Sequence, residues 1–286
     1  MDAMRSKFKS LSFLFKDKLT GTATVMMLIF IVTAIFGPWL APNAKEGAGA
    51  TNVDNSYIGP GWQHLLGTDE LGRDLLSRII YGARPALLIA LAVVGFAAII
   101  GTLLGLIAGY AGGWIDNLIM RVSELFLSFP PLLLSLVAVT FLGPGLINAL
   151  IALIISWWPW YARLIRVEAS IVKSKPYVEI SAAMGVPDRI IILRHILRNV
   201  TTPLIVQIAA DLGTVILAAG SLAFIGLGAQ PPSADWGLMV AQGRNLIFDQ
   251  WWISTFSGLA IFLAVLSFNV IGDALRDHFD PRIARQ

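Results

Sequence analysis

Residues 125–162 read LFLSFPPLLLSLVAVTFLGPGLINALIALIISWWPWYA, 38 positions without a charge between Glu124 and Arg163. A helix needs roughly 20 apolar residues to cross the hydrocarbon core of a bilayer, so this run is long enough for two crossings. Gly143-Pro144-Gly145 interrupts it with a turn signal, and the reading is two helices joined by a tight hairpin. Outward from this run the pattern recurs. There are 26 uncharged residues between Lys18 and Lys45, 31 between Arg84 and Asp116, 23 between Asp211 and Asp235, and 23 between Asp249 and Asp273. Six spans follow, at 20–41, 85–110, 120–142, 146–165, 202–228 and 252–273. Lipid offers the backbone no hydrogen-bond partner, so the spans are helices. Strands of a membrane barrel would run for about 10 residues each and alternate in polarity, and nothing here alternates. The expected fold class is an all-α polytopic membrane protein with six transmembrane helices.

Composition agrees. Of 286 residues, 56% are hydrophobic and 14% charged, against about 45–50% and about 25% in soluble domains. Mean hydropathy is +0.74, which also excludes a disordered chain. Cysteine is absent, so disulfides, thiolate metal sites and cysteine nucleophiles are excluded. Three scattered histidines, His64, His195 and His278, make no metal site. A phosphate loop requires a Gly-Lys pair, and none occurs. No Ser/His/Asp arrangement or His-Glu-x-x-His stands out. The chain is expected to be no enzyme, with no catalytic residue, metal or cofactor of its own and no nucleic-acid partner.

Six spans put both termini on one side. With that assignment 16 of the 21 Lys and Arg residues fall on the side of the termini and 5 on the other. Positive loops stay in the cytoplasm, so both termini are read as cytoplasmic. Residues 1–19 form a cytoplasmic tail carrying Arg5, Lys7, Lys9, Lys16 and Lys18, and 20–41 the first span, expected to be retained because no small-x-small cleavage site follows it. Residues 42–84 are external. Residues 85–275 form a five-helix core that contains a cytoplasmic loop at 166–200, and 276–286 a cytoplasmic tail. The sequon Asn199-Val200-Thr201 lies on the cytoplasmic side and is discounted.

The 166–200 loop holds most of the informative residues. Helix formers after Tyr177 stop at Gly185, a suitable C′ glycine. Pro187 then suits the start of a second helix, with Asp188 favourable in its first turn. Ile191, Ile192 and His195 lie near one face, Arg194 and Arg198 on another. This amphipathic helix–glycine–helix unit fits either docking into a groove of another protein or lying on anionic lipid.

Glu179-x5-Gly185, followed by Ile191 and Arg194-His-Ile-Leu-x-Asn199, resembles the coupling loop of ABC importer permeases. Glu179-Ile180-Ser181 departs from the usual Glu-Ala-Ala. Arg198 stands where a helix-ending proline is usual, so the helix is expected to run on towards the fifth span. Other segments resemble the dipeptide, oligopeptide and nickel branch of that family, second subunit type. These are His64-Leu-Leu-Gly-Thr-Asp-Glu-Leu-Gly-Arg-Asp74, Ser77-Arg78 with Tyr81-Gly-Ala-Arg84, Leu222-Ala-Phe-Ile-Gly-Leu-Gly228 with Pro231-Pro232 and Trp236-Gly237, and Gly272-Asp273-x-Leu-Arg276-Asp277 with Asp280-Pro281-Arg282. Ala219-Gly220 departs where a glutamate is often found. The resemblance implies the type I importer permease fold. It also implies a prokaryotic inner-membrane location, a second permease subunit, two ATP-binding-cassette ATPase subunits that hold ATP and Mg, and an extracytoplasmic binding protein. It assigns ATPase coupling to Glu179, Ala182, Ala183, Gly185, Ile191 and His195.

In the external segment, Thr68 or Asp69 is expected to cap a helix starting near Glu70. Arg73 and Arg78 are expected to pair with Asp69 and Asp74 at i,i+4 spacing. That reads as a self-satisfied external helix with no ligand role, or as direct substrate contact; the resemblance implies docking of the binding protein there, with Asp69, Arg73 and Asp74 as the candidates. Gly101, Gly105 and Gly109 leave one face of the second span bare for a close helix neighbour: packing within the chain or contact with a second permease. Charges inside spans are costly and often functional, so Asp211, Gln207 one turn earlier and Glu124 are the candidate pathway residues. The expected function is the permease of an ATP-driven importer of di- or oligopeptides. Nickel chelates or other small solutes remain alternatives, as does an ATP-independent carrier.

Overall fold

The computed structural model describes residues 12–15 and 17–279. The basic residues Arg5, Lys7, Lys9 and Lys16, and Asp280-Pro281-Arg282 with Arg285, lie outside the described residues. Nine helices of eight residues or more carry the described chain: α1 Lys18–Leu40, α2 Leu75–Ala111, α3 Gly113–Leu127, α4 Pro131–Leu142, α5 Leu146–Lys173, α6 Pro176–Ala183, α7 Asp188–Phe224, α8 Trp236–Gly243 and α9 Trp251–Phe279. Among the described residues there is no strand, only an isolated bridge between Thr68 and Asp74. Five helices are long and apolar enough to cross a membrane; α3 and α4 pass the same test only as a pair bent by 88°, a broken span or a re-entrant loop.

The helix limits follow from local chemistry. Asp17 caps α1, accepting from the Thr20 amide at 2.8 Å, which satisfies one of the first-turn donors. Asp235 does the same for α8 through the Leu238 amide at 3.0 Å. Gly143 and Gly145 take φ of +88° and +140° in the turn between α4 and α5, a region side chains avoid.

Two expectations need correction. The second helix starts at Leu75 rather than near 85. Arg78 and Arg84 break the uncharged run, but Arg78 is fully buried and its guanidinium donates to the Ser233 and Pro232 carbonyls at 2.8 and 3.4 Å. The expected single span 120–142 is two helices bent by 88°. Phe129-Pro130-Pro131 explains the break: a residue before proline is driven out of the helical region, and proline supplies no donor to the turn before it.

The described chain divides into two compact units. In the first, formed by residues up to Leu91, Val139–Leu150 and the chain from Ala209 onward, Phe30 of α1 packs on Trp236 and Phe268 at ring distances of 5.5 and 5.8 Å. The Trp236 indole donates to the Ile79 carbonyl at 2.9 Å, and the Trp252 indole to that of Thr68 at 3.0 Å. In the second unit, Ala92–Ala138 with Ile151–Ile208, Gly101, Gly105 and Gly109 lie against α5. A β-carbon on them would come within 2.4 Å of Tyr161 Cβ, 2.6 Å of the Ala162 oxygen and 2.6 Å of the Arg166 oxygen respectively. The bare face therefore packs within the chain, backbone against backbone.

Two measurements test this account. Gly105→Leu should lower the melting point in detergent by an amount equivalent to about 3 kcal/mol, the upper range of overpacking, whereas Gly95→Ala, with open space at its β-carbon, should leave it unchanged or raised. Burial pushes the Asp235 carboxyl above the ordinary carboxylate range, against the backbone N–H groups of Leu238 and Gly237. The folded form then binds a proton more tightly than the unfolded one, so stability falls as pH rises from the ordinary carboxylate value through the raised one. Asp235→Asn should remove that slope and match or exceed the wild type at neutral pH, while Asp235→Ala should lose about 1 kcal/mol with the cap.

Candidate functional site

The segment 174–199 is built as an anchored hook. Lys175 is extended, and Pro176 occupies the first turn of α6, where its missing N–H costs nothing. At the other end the Gly185 amide donates to the Ala182 carbonyl at 3.0 Å and that of Val186 to Ser181 at 3.1 Å. These two bonds, with Gly185 at φ +80°, are the Schellman ending. Space around the Gly185 β-position is open, so glycine is required there by backbone conformation alone. Pro187 is extended, and α7 starts at Asp188. The helix then runs on to Phe224 through one π-helical turn, as the absence of a proline at 198 leads one to expect.

A π-helical turn, Ile191–Ile196, sits near the start of α7. Its i→i+5 bonds bring residues five apart towards one face, and Ile191 and Ile196 are both fully buried. They join Val178 and Val200 against Leu106 of α2 and Ile165, Ala169 and Val172 of α5, with Val186 packed alongside. Ile191 belongs to this anchor. His195 is half-buried, its ring 6.0 Å from that of Tyr177. The ordinary helical period placed His195 beside Ile191; the π turn substitutes Ile196.

Glu179, Ala182, Ala183 and Gly185 are exposed together on the outer side of the hook. Beside them stand residues that sequence reasoning missed. Tyr177, Ile180 and Met184 recur at i, i+3, i+7, and the last two are 58% and 78% exposed. An exposed apolar stripe at helical spacing is a surface awaiting a cover. The spacing was readable; that the inner valines and isoleucines would take the anchor and leave this stripe outside was not.

Polar contacts brace the hook. The Tyr110 hydroxyl donates to Asp188 Oδ1 at 2.5 Å. Lys173 Nζ donates to the Tyr110 carbonyl at 2.6 Å. Arg166 holds Asp116 in a two-pronged pair, Nε to Oδ1 at 2.9 Å. The Asn199 amide donates to the Tyr177 hydroxyl at 3.1 Å and to the His195 carbonyl at 2.6 Å.

The segment before α2 is a dense polar knot. Asp69 pairs with Arg73 at 2.7 Å, as the spacing implies, and also accepts from the Leu71 and Arg73 amides. Two expectations fail here. No helix starts near Glu70; Asp74 caps α2 instead, accepting from the Ser77 amide and hydroxyl at 2.9 and 2.6 Å. Arg78 lies 3.6 Å from Asp69, not beside Asp74, whose other oxygen meets His64 Nδ1 at 2.9 Å. Gly72 takes φ +70°, and a β-carbon there would lie 1.7 Å from the Asn52 oxygen. Asp69, Arg73 and Asp74 are all buried. They hold the segment's shape, and the surface offered outward is that of Glu70, Gln63 and the 99% exposed Trp62.

Of the pathway candidates, Gln207 and Asp211 stand one turn apart on α7, both half-buried. Glu124 is exposed on α3 and pairs with Arg121 at 3.3 Å. Among the described residues no group of three or more His, Asp or Glu is arranged to hold a metal.

Residues 101–285 match the family described as binding-protein-dependent transport system inner membrane component. The chain is 44% identical, over 92% of its length and 88% of theirs, to a probable D,D-dipeptide transport system permease protein of Escherichia coli (strain K12). It is 43% identical, over 98% of its length and 90% of the relative, to a dipeptide transport system permease protein of Alkalihalophilus pseudofirmus. It is 42% identical, over 94% and 88%, to a glutathione transport system permease protein of Escherichia coli O6:K15:H31.

Gly185→Ala should cost about 1–2 kcal/mol, the left-handed penalty of an L residue, and Gly185→Asn less. Hydrogen exchange on residues 176–190 is the measurement. The account is wrong if the alanine variant exchanges there as slowly as the wild type.

Proposed function

Because the chain belongs to the family of binding-protein-dependent transport system inner membrane components, we propose that it imports small peptides as one of two permease subunits, driven by two ATPase subunits, one of which docks on the 174–199 hook. The family is one of transport permeases, and the chain is a multi-pass membrane protein. That family membership sets aside the ATP-independent carrier. ATP and Mg reside in the partner subunits, and this chain carries no cofactor. The peptide cargo follows the names of the relatives, dipeptide and glutathione among them. The chain lies in the inner membrane with both termini and the hook in the cytoplasm, which agrees with the 16 to 5 division of its cations. On the opposite side, the face around Glu70 and Trp62 receives the binding protein, and Asp211 and Gln207 line the path of the solute.

The observation that carries this reading is the hook itself. Its inner face is satisfied by the apolar anchor to α2 and α5, while Tyr177, Ile180 and Met184 remain uncovered beside the exposed Glu179, Ala182, Ala183 and Gly185. A groove on an ATPase subunit covers that stripe, and movement of the groove then moves the hook. The anchor passes the movement to α2 and α5.

The test is purification from native membranes in mild detergent. The wild type should bring down two ATPase subunits and a second permease. Ile180→Asp with Met184→Asp should release the ATPases and abolish transport without changing the melting point of the isolated chain. Intact assembly and transport in that variant would refute the assignment.

A further inference from the structure

The C-terminal end of α2 is held in an unusual way. The last carbonyls of a helix have no partner within it. Here a side chain of α5 supplies one of them: Lys173 Nζ donates to the Tyr110 carbonyl at 2.6 Å, while the Ser170 hydroxyl, which donates to the Arg166 carbonyl of its own helix at 2.9 Å, lies 3.4 Å from that of Gly109. The lysine cation also suits the negative end of the helix dipole and lies 5.2 Å from the centre of the Tyr110 ring. So the Tyr110 ring is fixed in place before its hydroxyl is used. That hydroxyl donates to Asp188 Oδ1 at 2.5 Å, across 78 positions of sequence.

Asp188 stands between two places where the backbone departs from a regular helix. Gly185 at φ +80° precedes it, and the π turn Ile191–Ile196 follows. Residues 187–190 are exposed and contribute nothing to the apolar anchor. Among the described residues, the bond from Tyr110 is the only side-chain hydrogen bond joining residues 184–190 to another element. It is not needed to hold the hook on the protein, since eight buried side chains already do so. Val186 and Ile191 tie the two ends of the tip to the anchor, and residues 187–190 between them add no side chain to it.

We infer that Tyr110 is a positioning residue for energy coupling: beside the apolar anchor, it locks the tip of the hook to the end of α2 through Asp188, so that a push received at α6 is not partly absorbed by pivoting at Gly185 and the π turn. This rests on the coupling role proposed above.

The chain has no native cysteine, so spin labels on Arg189→Cys and Trp114→Cys report the tip against the start of α3, which follows α2 directly. The assembled importer is measured with and without ATP and vanadate, with no transported solute required. In the otherwise wild-type protein the distance should be narrow and the same in both states. Tyr110→Phe, which keeps the ring over Lys173, should still capture the ATPases, because Ile180 and Met184 are untouched. It should nonetheless shift or broaden the distance by a few ångströms on trapping. Asp188→Ala should do the same, and the double variant should be no worse than either. Asp188→Asn retains an acceptor oxygen and should stay close to wild type. An unchanged distance in both Tyr110→Phe and Asp188→Ala would overturn the inference. So would loss of the ATPases in Tyr110→Phe, because the hydroxyl would then serve docking itself. Failure of the wild-type chain to capture ATPases would sink the coupling reading first, and this one with it.

Discussion

The contact on which the second unit turns is the approach of α2 to α5 across Gly101, Gly105 and Gly109. At each glycine the nearest atoms of the partner helix include its backbone or a β-carbon. In a bilayer, lipid is as apolar as leucine, so burying side chains gives helices little reason to associate. Close backbone packing supplies dispersion contacts that lipid chains match poorly. With the two helices seated, Leu106 and the buried face of Ile165, Ala169 and Val172 form one apolar surface, and Val178, Ile191, Ile196 and Val200 complete it. The shape of the hook is thus inherited from the seam.

Polar groups are managed differently in the segment around the start of α2 and in the hook. Before α2, Asp69, Arg73, Asp74, His64 and Arg78 are buried together and bonded to one another or to nearby backbone. Buried charges are stable only when paired and hydrogen-bonded, and removing one partner leaves the others exposed to that cost. This is a rigid structural use of ionisable residues. In the hook, by contrast, charges such as Glu179, Arg189 and Arg194 face outward, and the apolar residues are divided between an anchor and an uncovered stripe.

Much of this was legible in the residues alone. Uncharged runs overlap each of the five helices long and apolar enough to cross a membrane, because a charge at the bilayer centre is costly. The same rule misplaces the start of α2: it treats Arg78 as a mark of water, while the folded chain gives that guanidinium two carbonyls and a carboxylate. An apolar run is also silent about bends, so the 88° break after α3 was missed although Phe129-Pro130-Pro131 carried the signal. Gly185 was legible because its need is local. Ile191 and His195 were assigned one face by a period that the π turn does not obey. The contact of Tyr110 with Asp188 joins residues that no local pattern relates.

The π turn has a further consequence for the phase of α7. Such a turn holds one residue more than an α-helical path of the same closure, and each residue of an α-helix turns the chain by about 100°. The faces of α7 from Leu197 onward are therefore registered to the hook by a count of residues rather than by any single contact. A chain shortened by one residue between 191 and 196 has two ways to respond: let the turn relax to α-helix and keep Gln207 on its present bearing, or keep the anchor and rotate Gln207 away. The extra residue works as a register mark between the hook and the helix that continues from it.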